Sequence, residues 1–190
     1  MIPSSVLIKA YSTGYFPMGE EGNVISWHSP DPRTIIPLDK YNIPRSTKQI
    51  IRTNQFEIRI DSAFETVIRS CARRSETWIT DEIIESYLEL RRLGLAHSVE
   101  SVDSSGVVGG LYGVALGSAF FGESMFSLKT GGSKVALAFL IKHLVERGFT
   151  LLDVQYTTPH LRTFGSVEIP RKEYLGLLSS AMRHVAKFVD

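Results

Sequence analysis

The sequence predicts an α/β fold of the α+β kind, built on a mixed, mainly antiparallel sheet. Three observations carry that prediction. From Phe56 onward, period-2 and period-3.6 hydrophobic patterns alternate in the order β-α-α-β-β-β-α-β-α. Within that order HSVESV, VVGGLYGVAL and GSAFFGES are separated only by SSG and by Gly117, and connections this short make the three strands a meander. Finally, the stretch Phe120–Gln155 reads as strand, Gly-rich loop, helix and strand. A crossover of this kind joins parallel strands and is right-handed, so both strand ends and the helix start meet at one rim of the sheet.

Taken in order, Ser4 or Ser5 caps a helix over roughly Val6–Thr13, which Gly14 ends. YFPMGEEGNVISWHSPDPR is dense in Pro, Gly and aromatics. Each proline restricts itself and its predecessor, so this segment is expected to be an irregular loop of fixed path. A strand is expected at Arg33–Pro37, and Ser46 is placed as the cap of a helix over Thr47–Thr53. FEIRI alternates as a strand; Asp61 then caps a helix with Phe64, Val67 and Ile68 on one face. Thr80, with Asp81 and Glu82 in the first turn, starts a helix that closes on Arg91, Arg92 and Gly94, a charge order matching the helix dipole. After the meander come a helix near Ser133–Arg147, a strand Thr150–Val154, and a last helix from Arg171, behind Pro170, to about Phe188.

Composition excludes several classes of function. The 190 residues are 43% hydrophobic and 22% charged, ordinary for one globular domain with a small satellite. With 21 basic against 20 acidic residues, any polyanion must be met by a local patch rather than by net charge. The single cysteine, Cys71, rules out an internal disulfide or a Cys-based zinc site. The first residues do not pattern as a signal peptide and no run approaches a membrane span, so the chain is expected in the cytoplasm. The five histidines, at 28, 97, 143, 160 and 184, lack metal-site spacing, and KTGGSK lacks the order of a phosphate loop. No metal and no cofactor is expected.

Three antiparallel strands before a parallel crossover is the order of the GNAT acyltransferase fold, in which substrates meet where the fourth and fifth strands splay apart. In this chain those strands end in Glu123 and in Asp153 and Gln155. Residues 1–32 are expected to be a small N-terminal subdomain and 33–190 the GNAT-like catalytic domain. Beyond fold, AYSTGYFPM, WHSPDPR, ETWIT, AHSVE, GGLYGVALG, FFGESMFS, SKVAL, LLDVQ and GSVEIPRKEYL follow one another from about Ala10 to Leu178. Together they resemble the bacterial leucyl/phenylalanyl-tRNA–protein transferases. The resemblance implies transfer of Leu or Phe, with Met a further candidate, from aminoacyl-tRNA to the N-terminal amine of proteins that begin with Lys or Arg. Such a transfer creates a degradation signal in the N-degron pathway, by an enzyme expected to act as a monomer. Met18 stands where some members have a tryptophan that grips the terminal adenosine, His28 replaces a second aromatic, Leu128 a common arginine, and Val154 a common cysteine.

The resemblance also implies roles. Asp153 and Gln155 are the catalytic pair: a carboxamide is far too weak a base to hold a proton, so Gln155 is expected to accept a hydrogen bond from the attacking amine while Asp153 fixes Gln155 or its backbone. Glu123 is expected to hold a cation, either the donor's α-amine or the acceptor's basic side chain. Leu111, Phe120, Met125, Leu137, Leu140 and Leu152 match positions that line the pocket for the donor side chain, although Leu137 and Leu140 also belong to an ordinary helical core stripe with Ile141 and Leu144. Trp78, Tyr87, Tyr11 and Met18 match the grip on the 3′-adenosine, where stacking contributes about 1–3 kcal/mol per base. The basic pairs Arg73–Arg74 and Arg91–Arg92, with Lys129 and Lys134, are candidates for phosphate contacts. The rival readings are aminoacyl transfer to an acidic N-terminus, a non-catalytic module that binds aminoacyl-tRNA or protein N-termini, and coenzyme A-dependent acetyl transfer. The last is disfavoured because no R/Q-x-x-G-x-G/A loop is present.

Overall fold

A computed structural model describes residues 1–20, 22, 24–73 and 77–190. The meander forms as expected from β5 (Ala96–Asp103), β6 (Gly106–Leu116) and β7 (Ala119–Ser127). The helix α5 (Gly132–Glu146) then crosses over to β8 (Leu151–Gln155). With β3 (Arg33–Ile35), β4 (Glu57–Ile60) and β9 (Val167–Ile169) these strands make one sheet in the order β4-β5-β6-β7-β8-β3-β9. Only β7 and β8 run parallel; every other neighbouring pair is antiparallel. The sheet is thus mixed and mainly antiparallel, with the GNAT-like order of three antiparallel strands before a parallel crossover.

Alternation along the central strands sends side chains to two cores. Phe121 and Leu151 face one apolar cluster, shared with Leu7 and Tyr11 of α1 (Ser4–Ser12), Val67 and Ile68 of α3 (Phe64–Ala72) and Ile83 and Tyr87 of α4 (Asp81–Arg92). Tyr174 and Leu178 of α7 (Arg171–Ala181) close that side. Phe120 and Leu152 face the other cluster, beneath Leu137, Leu140, Ile141 and Leu144 of α5. The helical stripe read in the sequence therefore packs directly on the sheet. No helix among the described residues is long and apolar enough to cross a membrane.

Several local expectations are corrected. The segment after Gly14 is not an irregular loop: β1 (Phe16–Glu20) and β2 (Val24–His28) pair as a hairpin in the register Phe16↔His28 to Glu20↔Val24. Pro17 is tolerated because each strand of a two-stranded ribbon is an edge, and an edge has positions that need no N–H. Ser46 does not cap α2 (Arg45–Arg52), which begins behind Pro44 without a side-chain bond. Asp61 does not cap α3 either; its backbone is left-handed at φ 55° and its carboxylate turns to Nδ1 of His97 and the backbone N–H of Ser98. Thr80 does cap α4, accepting from the N–H of Ile83. The last helix ends at Ala181 rather than near Phe188, because the Ala181 carbonyl accepts from Ser118 N–H and the chain turns back across Gly117. Phe188 then stacks on Phe120. The short helix α6 (Pro159–Arg162) and β9 were not anticipated, being four and three residues long.

Two local features shape the rim. The parallel pairing stops at Phe121↔Asp153, while β7 continues to Ser127 and β8 to Gln155, so the two strands part there. On its other side β7 carries a bulge, since Gly113 pairs with Gly122 and Tyr112 with Ser124, leaving Glu123 as the extra residue. A bulge bends its strand and re-aims the side chain it carries. Gly113 permits the close approach: a Cβ there would lie 2.3 Å from the Phe121 carbonyl oxygen.

A single buried cation holds the pieces together beside this rim. Arg33, on β3, is 1% exposed, and its Nε and Nη2 donate to the two carboxylate oxygens of Asp153 at 2.9 and 2.6 Å. Its Nη1 donates to the Gly14 carbonyl at 3.0 Å, and the guanidinium lies between the rings of Phe16 and Tyr174, at 4.8 and 4.5 Å from their centroids. Removing one member of a buried pair strands the other charge. Arg33→Leu is therefore expected to cost about 3–5 kcal/mol of folding stability, and Arg33→Lys to recover only part of it because an ammonium cannot make the bidentate fork. Urea unfolding of the two variants checks this; a wild-type midpoint for Arg33→Leu would contradict it.

Candidate active site

Where β7 and β8 part, a cavity of about 420 Å³ opens. Its apolar end is made by Leu111, Met125, Leu137, Leu140 and Leu152, five of the six residues expected there. Phe120, the sixth, does not line it. That ring is fully buried in the same face of the sheet, stacked on Phe188 at 5.2 Å, and it supports the wall from behind. Val154, Tyr156, Thr158, His160 and Leu161, from β8 and the start of α6, complete the wall and were not singled out in the sequence. Trp78, Met18 and Phe16 line another part. Gly19 N–H donates to the Trp78 carbonyl at 2.9 Å, which docks the hairpin on the segment before α4 and brings Met18 and Trp78 to the same opening.

Glu123 and Gln155 line the cavity side by side, 3.5 Å apart between Oε1 and Nε2. Glu123 is held by two phenols. Tyr11 Oη donates to Oε1 at 2.7 Å and Tyr87 Oη to Oε2 at 3.0 Å, and the two hydroxyls are hydrogen-bonded to each other. Tyr11 and Tyr87 are 1% and 0% exposed, so they offer no ring face to a base and reach the site through their hydroxyls alone. Burial pushes the Glu123 carboxyl up to about 7, with Asp153 adding to the rise; the two phenols and Arg33 act in the opposite sense. Burial also raises both phenols well above their ordinary value, so they remain protonated donors.

Asp153 stands behind this surface, with no exposure. Besides Arg33 it accepts from Tyr174 Oη at 2.8 Å, and its Oδ1 accepts from the backbone N–H of Gln155 at 2.9 Å. Gln155 has φ 58°, and the next N–H, of Tyr156, donates back to the Val154 carbonyl at 2.7 Å. An i to i+2 bond around a residue of positive φ is a γ-turn, a costly conformation for a side-chain-bearing residue. The Asp153 carboxylate offsets that cost and turns the Gln155 amide into the cavity. Arg33 and Tyr174, the partners that fix Asp153, lie inside the SPDPR and RKEYL blocks but carry no local sign of their role.

The departures at the rim are all accounted for spatially. His28 stacks on Phe16 at 5.9 Å and bonds Ser26 Oγ at 2.7 Å, Val154 is part of the wall, and Leu128 is 73% exposed. A second hollow of about 420 Å³ shares Met125 and His160 with the first and is lined by Arg73, Ser70, Ser127 and Ser133. Of the basic candidates, Lys129 is paired with Asp103 at 2.5 Å and Arg91 with Asp61 at 3.5 Å; Arg74 lies outside the described residues. Among the described residues no group of three His, Cys, Asp or Glu is placed to hold a metal ion.

Comparison with known proteins adds an independent line. The family model for leucyl/phenylalanyl-tRNA protein transferase matches residues 35–179, and that for the N-terminal domain of the same transferases matches residues 3–31. The leucyl/phenylalanyl-tRNA–protein transferase of Rubrobacter xylanophilus is 50% identical over 179 residues, 94% of each chain. That of Herpetosiphon aurantiacus is 50% identical over 184 residues, 96% of each chain. Among solved structures, a functionally unknown conserved protein from Staphylococcus epidermidis aligns with a TM-score of 0.47 and 12% identity over 90% of this chain and 65% of that one, too distant to bear on function. The chain belongs to the leucyl/phenylalanyl-tRNA–protein transferase family, aminoacyltransferases that move leucine or phenylalanine from charged tRNA to a protein N-terminus.

Proposed function

We propose that this chain joins Leu or Phe, carried as the tRNA 3′ ester, to the α-amine of proteins beginning with Lys or Arg. The observation that carries the reading is one cavity whose lining joins the apolar side chains Leu111, Met125, Leu137, Leu140 and Leu152 to a carboxylate and a carboxamide, Glu123 and Gln155. Its volume lies within the range of about 300–1,000 Å³ usual for small-ligand sites. In this reading Leu111, Met125, Leu137, Leu140 and Leu152 receive the donor side chain. Met125 adapts to either an aliphatic or an aromatic occupant. Trp78, with Met18 beside it, stacks on the adenosine, and Arg73 in the adjoining hollow meets the phosphodiester that precedes it.

The ester is already activated, and the enzyme's main task is alignment. Holding ester and amine in a near-attack arrangement supplies about 7–11 kcal/mol. Gln155, fixed through its backbone by Asp153, orients the amine. Selection of a basic acceptor is supported by charge: the Asp153 charge is taken by Arg33, and Glu123 is the carboxylate that lines the cavity. The chain is proposed to act as a monomer, and its single cysteine, Cys71, which rules out an internal disulfide, suits a reducing cytoplasm.

Purified protein with leucyl- or phenylalanyl-tRNA is expected to label peptides that begin with Arg or Lys and to leave otherwise identical peptides beginning with Asp or Glu unlabelled. Labelling of the acidic peptides would favour the rival acceptor class, and binding of aminoacyl-tRNA without any labelling would favour a non-catalytic module. Trp78→Ala is expected to raise KM for the charged tRNA about 5- to 150-fold, the equivalent of about 1–3 kcal/mol of stacking, with kcat little changed. Gln155→Ala is expected to show the reverse split. Steady-state kinetics varying the tRNA concentration measures both, and exchange of the two patterns would overturn the assignments.

A further inference from the structure

We infer that Glu123 is the proton carrier of the transfer reaction, taking a proton from the attacking amine and returning it to the ribose 3′-oxygen, with Tyr11 and Tyr87 as its positioning residues. The inference rests on the aminoacyl-transfer reading above and adds to it a group that moves a proton, which the Asp153–Gln155 pair does not contain.

The count of protons around Glu123 carries the argument. Three hydrogen bonds join four oxygens: Tyr11 Oη to Oε1, Tyr87 Oη to Oε2, and one phenol to the other. A phenol has one proton to give, and a carboxylate has none. With Glu123 ionised, two protons must serve three contacts, and one contact is left without a proton. With Glu123 protonated, the carboxyl donates to Tyr87, Tyr87 to Tyr11, and Tyr11 back to the carboxyl, and every contact is filled. The site is therefore built to accept a proton at this carboxylate and to hold it in a closed ring, while the carboxylate still lines the cavity.

The neighbouring carboxylate is built in the opposite way. Asp153 accepts two bonds from Arg33, one from Tyr174 and one from the Gln155 N–H, which fills both oxygens with donors. The charged and titratable groups that act on Glu123 are Tyr11 from α1, Tyr87 from α4, Arg33 from β3, and Asp153 from β8 with Gln155 uncharged beside it, while Tyr156 and His160, whose imidazole burial holds below its usual range, line the same cavity. Tyr112 of β6 packs edge-on against Tyr87 at 5.6 Å and lines the same cavity, and Tyr174 of α7 lies beyond Asp153. The ordinary carboxyl range is already displaced upward here to about 7, near the value that suits a general base at neutral pH.

The step balances without any further reactant. The acceptor's ammonium first loses a proton to water. The neutral amine's lone pair forms the N–C bond at the ester carbonyl, and ionised Glu123 takes one of the two remaining hydrogens from that nitrogen. As the bond from the carbonyl carbon to O3′ breaks, its electron pair stays on O3′ and the Glu123 carboxyl delivers the proton there. The products are the amide and the free 3′-hydroxyl, and Glu123 is ionised again.

The test is single-turnover transfer from phenylalanyl-tRNA to an Arg-starting peptide between pH 5.5 and 9, with wild type, Glu123→Gln and Tyr87→Phe. Wild type is expected to lose rate below about pH 7 on a limb that stays in place when the peptide is replaced by one whose α-amine has a lower pKa. Glu123→Gln should react about 10²–10⁴-fold more slowly with an unchanged KM for the charged tRNA, and should keep only the limb that follows the peptide's amine. Tyr87→Phe removes a donor to the ionised carboxylate and also opens the ring that holds the proton, so the fixed limb should move away from its wild-type pH. The inference is overturned if the fixed limb survives in Glu123→Gln, if the loss lies wholly in KM for the tRNA as expected of a holder of the donor's ammonium, or if Tyr87→Phe leaves the limb in place. Wild type that transfers nothing would instead sink the aminoacyl-transfer reading itself.

Discussion

The arrangement depends first on the bidentate pair of Arg33 and Asp153, buried to 1% and 0% exposure. An ion pair this deep is a doubtful source of net stability, because desolvating two charges costs several kcal/mol each before the attraction offsets it. What it provides is position. Arg33 reaches the Gly14 carbonyl at the end of α1 and the Phe16 ring at the start of β1, while Asp153 reaches Tyr174 on α7 and the Gln155 backbone at the end of β8. One contact thus fixes the N-terminal helix and hairpin against the end of the strand that carries the amide. Replacing the pair by well-packed apolar groups would lose this geometry even where it kept the fold.

The N-terminal segment has work of its own in this frame. Tyr11 from α1 supplies one of the two phenols on Glu123, and Met18 from the hairpin supplies cavity wall. The bulge at Glu123 makes the first possible. In a regular strand, Glu123 would point to the face opposite Gly122 and Ser124 and would stay in the ladder with β6. As the unpaired extra residue it is released from that ladder and meets two helices, α1 and α4, that arrive from distant parts of the chain. Glycine at position 113 lets β6 and β7 close up beside the bulge, which ties a backbone detail of the meander to the protonation chemistry of the cavity.

Much of this was legible in the sequence, and the limits are physical. Hydrophobic patterning defined the meander, the crossover helix and β8, and hence the rim, because strands buried on both faces read as short apolar runs bounded by turn residues and the helix carries an apolar stripe. The hairpin β1–β2 was not readable, since its burial follows no period-2 alternation, Phe16 and Pro17 both being buried and Ile25 and Ser26 both half-buried, and it contains Pro17, a residue that argues against a strand unless edges are free. Asp153 and Gln155 stood out by their spacing at a strand end. The Arg33 contact that explains Asp153 spans 120 residues, beyond any local pattern. Tyr11 and Tyr87 were placed at the site by family position, to stack on or bond to the adenosine; their rings are buried and their hydroxyls bond Glu123. No side-chain pattern reports a bulge, so the environment of Glu123 was visible only in three dimensions.

That environment changes how the rim is understood chemically. From sequence it lacked a base, because the Gln155 carboxamide is far too weak to hold a proton and Glu123 was assigned to holding a cation. With its carboxyl raised to about 7, Glu123 can be ionised when the amine nitrogen sheds a proton and protonated when O3′ needs one. A carrier must both take and give, so a balanced position serves it better than a strongly basic one would. Proximity still supplies the larger share, about 7–11 kcal/mol against about 3–5 kcal/mol for a proton transfer worth 10²–10⁴-fold. The two contributions come from different parts of the same rim, the first from the cavity wall and Gln155 and the second from the ring of Glu123, Tyr11 and Tyr87. Arg33 links them. Through Asp153 it fixes the backbone that carries Gln155, and its charge adds a smaller opposition to that of the two phenols against the rise that burial imposes on Glu123.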